Sequence, residues 1–244
     1  MTRRMLLVFT FLLGTLLSAV GVATAQDTET DIDIAAIGEV VLDSDPQILT
    51  EGLESPPDDA ELPEGFVNPP GGSPQHADLI AEFTGEIGQI DDAIGNVSHA
   101  FDTDPDVVSG EISTGIITYL VTEEEITAED LDLFEEGASE GFDTATPSPT
   151  DESEDATPSS APVGTVERIE LGGAEAVVIT VVTEEGGNSA VVQIVAVPVG
   201  NTLVIGTTLV ADQGTVDAED VLSLAEELTL AGVAYLETVA ENAQ

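Results

Sequence analysis

The sequence predicts an α+β fold: an antiparallel sheet made of hairpins in a meander, with flanking helices and a long helix at the C-terminus. Three observations lead there. Glu175 to Thr183 and Ala190 to Pro198 are Val/Ile-rich runs separated by the turn-forming Glu184-Glu185-Gly186-Gly187-Asn188, the signature of a hairpin with a longer loop. From Asp217 to about 240, Val221, Leu224, Ala225, Leu228, Ala231 and Leu236 recur at helical spacing behind the candidate N-cap Asp217. The strands are apolar on both sides, with Val177, Ile179 and Val181 pointing one way and Val178 and Val182 the other, so each face of the sheet needs a cover.

In chain order, residues 1–25 read as a signal peptide. Arg3 and Arg4 form a basic start, Met5 to Val22 is apolar, and Ala23-Thr24-Ala25 is a small-x-small cleavage signature. The protein is therefore expected to be secreted or extracytoplasmic after cleavage near Ala25. Residues 26–77 are rich in Asp, Glu, Pro and Gly, with Pro56-Pro57 and Asn68-Pro69-Pro70-Gly71-Gly72 as breakers, and are expected to form an extended, partly disordered acidic arm. Residues 78–143 form the first half of the domain. Ala81 to Ile90 and Ala93 to Phe101 are weaker strand candidates interrupted by glycines, Ile112 to Thr122 reads as a strand, and Thr127 caps a helix to about 140 with Leu131, Phe134 and Ala138 on one face. Residues 144–162 have no large apolar residue and read as a disordered Pro/Ser/Thr/Asp/Glu linker or loop. In the second half, 163–244, Thr165 to Leu171 is an edge-strand candidate, and Gly200-Asn201 suits a two-residue type II′ turn into a strand at 202–211. At an offset of 90 residues, Ile126 to Leu131 lies on Val216 to Val221, each behind a strand, which is compatible with a duplicated strand-helix unit or with shared capping chemistry.

Leu62-Pro63-Glu64-Gly65-Phe66 ahead of such a meander and a long C-terminal helix resembles the PsbP-like exported α/β/α sandwich proteins. The resemblance covers about 62–240 and implies an accessory or binding role. The Trp often found soon after that motif is absent, and no functional residue is carried over.

Composition excludes more than it assigns. Of 244 residues, 49 are acidic and 3 basic. With Arg3 and Arg4 in the leader, the mature chain sets Arg168 alone against those 49 carboxylates, a formal charge of −48. Direct nucleic-acid binding is excluded, since it needs Lys and Arg to displace counterions from phosphates, and an anionic membrane surface is disfavoured for the same reason. Without Lys there is no Schiff-base chemistry, and without Cys no thiol nucleophile, disulfide or thiolate metal ligand.

The remaining candidates are few. Asp102, Asp104 and Asp106 have the alternate spacing with which a loop wraps calcium, yet Val107 stands where an EF-hand needs Gly, and Ser113 where it needs a bidentate Glu. An acidic turn bent by Pro105 explains the pattern equally well. His76 and His99 are the only imidazoles and lie in no catalytic motif. Arg168 could clamp an anionic ligand, or pair locally with Glu167 or Glu170. Asn96-Val97-Ser98 fits a glycosylation acceptor by accident of pattern.

These residues point to no catalytic centre and no cofactor beyond the calcium option. The expected function is a non-catalytic binding or accessory protein of the cell exterior, its partner an unidentified small molecule or protein. The alternative is a divalent-cation-binding or charge-shielding surface protein, adapted to salt because runs such as Glu123-Glu124-Glu125 have no basic residue at helical spacing to offset them. A carboxylate-based exported hydrolase is the more distant alternative.

Overall fold

The Val/Ile runs of the second half form strands that pair with their sequence neighbours. A computed structural model describes residues 32–69, 93–103, 112–144, 163–185, 188–212 and 218–244. Its strands are β1 (Phe66–Val67), β2 (Ala93–Thr103), β3 (Ile112–Thr122), β4 (Val163–Leu171), β5 (Ala174–Glu185), β6 (Asn188–Val199) and β7 (Thr202–Asp212). They make one seven-stranded sheet in the order β1-β2-β3-β7-β6-β5-β4, antiparallel at every pairing. The meander β4 to β7 thus returns from one edge of the sheet to pair β7 with β3 in its middle.

Among the described residues, four α-helices cover the two faces: α1 (Ile34–Leu42), α2 (Pro46–Leu53), α3 (Ala128–Thr144) and α4 (Ala218–Asn242). Helix α4 buries Ala225, Leu228, Val233 and Leu236, one stripe at helical spacing, against Ile117 and Tyr119 of β3, Val195 and Val197 of β6 and Val204 of β7. It approaches so closely that a methyl on Gly206 would lie 2.9 Å from the Ala225 carbonyl oxygen and 3.0 Å from the Thr229 nitrogen. On the opposite face, α3 places Leu131 and Ala138 over Val177, Ile179 and Val181 of β5, together with Ile194 and Ile205. The alternation across β5 is therefore used on both sides, as fully apolar strands require.

Residues 32–69, the described part of the 26–77 segment, differ from the extended arm that its composition suggests. Within the described part, Asp33 caps α1 by accepting from the Ala36 nitrogen at 3.2 Å. Asp45 caps α2 by accepting from Gln47 and Ile48, with Pro46 just inside the start. The helices persist because Ile34, Ile37, Val41, Leu49 and Leu53 are all buried in the α4-side core, an apolar area whose removal from water offsets the ordering entropy.

The duplication reading meets a geometric obstacle. The rotation that would lay the β2–β3 pair on β6–β7 is a two-fold axis perpendicular to the sheet between β3 and β7, and it would put both following helices on one face. Helices α3 and α4 lie on opposite faces. The expected signal peptide at 1–25, the strand candidate at 81–90, the linker expected at 144–162 except Thr144, which closes α3, and Asp217 lie outside the described residues.

Candidate functional site

His99 is the imidazole that the fold positions. It sits in β2, opposite Ile117 of β3, and its Nε2 donates to the carbonyl of Leu53 at 2.8 Å. Leu53 is the last residue of α2, so the ring satisfies one of the carbonyls that a helix end leaves without an intrahelical donor. The ring meets Tyr119 edge-on, with centroids 6.5 Å apart, and Tyr119 meets Tyr235 of α4 at 6.4 Å. Tyr119 donates to the Gly232 carbonyl and Tyr235 to the Ser55 carbonyl. The residues leaving α2 are thereby held by a strand histidine on one side and a helix tyrosine on the other.

Burial holds the His99 imidazole below its ordinary value, and the bond to Leu53 opposes this only in part. Burial also pushes the Tyr119 phenol well up, with Tyr235 and Glu61 adding to the rise. A neutral donor imidazole beside a protonated phenol can bond and pack. Among the described residues it has no carboxylate orienter of the kind that an acid–base histidine uses, and its bond to Leu53 already occupies Nε2.

Arg168 is held on the other side of the sheet. It lies on edge strand β4 and bonds Asp132, Glu135 at 2.7 Å and Glu175 at 3.0 Å. These partners replace Glu167 and Glu170, the neighbours that sequence proximity suggests. Strand alternation turns Glu167 to the opposite face, whereas α3 brings Asp132 and Glu135 over β4. Glu175 is the cross-strand partner of Glu170, and the guanidinium lies beside that like-charged pair. Its pKa is raised by the hydrogen bonds to Glu135 and Glu175.

Of the proposed calcium ligands, Asp102 is placed in β2 opposite Val67, inside the strand, and Asp104 and Asp106 lie outside the described residues. His76 lies outside them as well. Asn96 and Ser98 are strand residues, and the Ser98 hydroxyl is 2.7 Å from Thr118 Oγ1, a poor presentation for a glycosylation acceptor. Among the described residues, no group of three or more His, Cys, Asp or Glu could hold a metal, and no helix is long and apolar enough to cross a membrane.

A shallow cleft of about 390 Å3 lies between α2 and the end of α4, lined by Ile48, Glu51, Gly52, Val239, Asn242 and Ala243. It brings one carboxylate to a mostly apolar wall, and its amide, Asn242, already donates to the Thr238 carbonyl at 2.7 Å. Sequence reasoning had no access to it, since one of its two walls, Ile48, Glu51 and Gly52, comes from the segment read as an arm. No protein-family profile matches the chain, and no curated protein is similar to it.

Proposed function

We propose that the protein is an exported, non-catalytic binding or accessory module, for which the PsbP-like resemblance of 62–240 is an architectural analogy. The observation that carries this reading is the commitment of its scarce reactive groups. Nε2 of His99 is spent on the Leu53 carbonyl, and the Arg168 guanidinium on three carboxylates. A hydrolase reading would be favoured by two carboxylates beside His99, and the ring's neighbours are Tyr119 and the α2 terminus instead. The test is turnover of activated esters and aryl glycosides by the secreted protein and by His99→Gln. Hydrolysis that His99→Gln abolishes overturns the reading; no turnover in either supports it. Mass spectrometry of the secreted chain checks the export half, with Gln26 expected as the first residue.

The second reading, a cation-binding or charge-shielding surface, is favoured by Asp132, Glu135 and Glu136, carboxylates of α3 beyond its first turn on a helix that has no basic residue. Calcium titration by calorimetry separates the two. Saturable heat beyond that of an ionic-strength-matched NaCl titration selects the second reading, and matched heats select the first.

A further inference from the structure

We propose that α3 is a charge-latched cover on the sheet, that Arg168 is its latch, and that α3 lifts ahead of the rest of the fold when screening is weak. The inference is independent of the functional reading above. Among the described side chains of α3, 128–139, Leu131 and Ala138 are buried, Phe134 is half-buried against the same cluster, and Leu133 is 49% exposed. The helix also bears Glu129, Asp130, Asp132, Glu135 and Glu136 without one basic residue. It rests chiefly on β4 and β5, whose strands present Glu170 and Glu175 toward the same side. Without Arg168, acidic helix and acidic strand edge would repel each other across a small apolar contact.

The start of α3 is pinned separately. Thr122 and Ile126 donate through their backbone nitrogens to the carbonyls of Asn201 and Gly200 at 2.9 and 2.8 Å, and the Asn201 amide returns a bond to the Thr122 carbonyl. A helix fixed at residues 122–126 and held further along by one guanidinium pivots about its N-terminal end once that hold fails. What it uncovers is aliphatic: Val177, Ile179, Val181, Ile194 and Ile205. Salt acts on the two forces unequally. The contact-distance bonds of Arg168 are shorter than or close to the Debye length even near molar salt, about 3 Å, whereas the longer-range repulsion is felt fully at about 0.01 M, where that length is about 30 Å. Salt therefore favours closure.

Hydrogen exchange read by mass spectrometry tests this on the full chain in 10 mM and in 1 M NaCl (about 30 Å and 3 Å screening). In the native protein, residues 128–139 should exchange several-fold faster than 221–240, with the gap widest in dilute salt. Arg168→Ala should widen the gap further and raise Nile red fluorescence, and 1 M NaCl should reverse part of both. Arg168→Lys, which keeps the charge but loses the forked geometry, should fall between and serves as the reading if Arg168→Ala unfolds in dilute buffer. Equal exchange of the two helices in both salts overturns the proposal, as does an Arg168 variant that speeds both helices alike.

Discussion

The two faces of the sheet are covered by different physics. On one, α4 with α1 and α2 buries a continuous aliphatic stripe, and the backbone of α4 comes close enough to exclude a side chain at Gly206. On the other, α3 offers Leu131, Ala138 and the half-buried Phe134, and depends on Arg168, the only Lys or Arg after residue 4. In an excess of carboxylates, a helix with a wide apolar stripe tolerates an acidic outer surface, and a helix with a narrow stripe needs a counter-charge. Apolar burial is insensitive to screening by salt, whereas exposed charges are not.

The comparison can be broken by substitution. Leu228→Ala, on the α4 face and fully buried, should cost about 3–5 kcal/mol, and Leu131→Ala, on the α3 face, about 2–3 kcal/mol because the site there collapses more easily. Urea unfolding of both variants decides it, and equal losses would remove the distinction between the faces. Gly206→Ala should cost about 1–3 kcal/mol, since the methyl would meet the Thr229 hydroxyl and, just behind it, the backbone of α4, so that the helix must shift as well as the side chain.

A smaller effect sharpens the picture at the edge of the α4 face. The folded state keeps His99 neutral with a pKa below the ordinary 6.5, so as pH falls below that value the unfolded chain takes up the proton first. Stability is lost through that window, from about 6.5 down to the folded value. His99→Gln, which retains an N–H donor, should remove this component from the pH dependence of the melting midpoint. The smallest effect is at Glu226 on α4, whose pKa burial raises. Its contribution is favourable at low pH and lost as pH rises through the folded value, so Glu226→Gln should stabilise at neutral pH by less than about 1 kcal/mol, solvent screening being substantial. Midpoints at pH 7 with and without the substitution measure it.

The strands from 163 onward and both later helices were legible because Val and Ile density, Gly-Asn at the turn and helical apolar spacing agree locally. Helices α1 and α2 were obscured by composition. Prolines and acids mark the segment as an arm, yet the spacing of Ile34, Ile37 and Val41 behind Asp33, and Asp45-Pro46 ahead of Leu49 and Leu53, carries the signal of two capped helices. At the candidate site, His99 as a packed strand residue and Arg168 as an ion-paired one could be read from the chain. Their partners, the Leu53 carbonyl and the Asp132–Glu135 face of α3, could not, because only tertiary packing brings residues so far apart in sequence together.

The seat of α1 has a bearing on how the chain matures. Gly38 lies against Gly200, whose φ of 62° the β6–β7 turn requires, with the Gly38 carbonyl oxygen only 2.7 Å from where a methyl on Gly200 would sit. Ile34, Ile37 and Val41 share their core with Leu236 of α4. A ribosome or translocon delivers the N-terminus first. These three side chains therefore stay wet, or shielded by a chaperone, until the segment around Leu236, some two hundred residues later, has emerged, so the two ends of this core meet late.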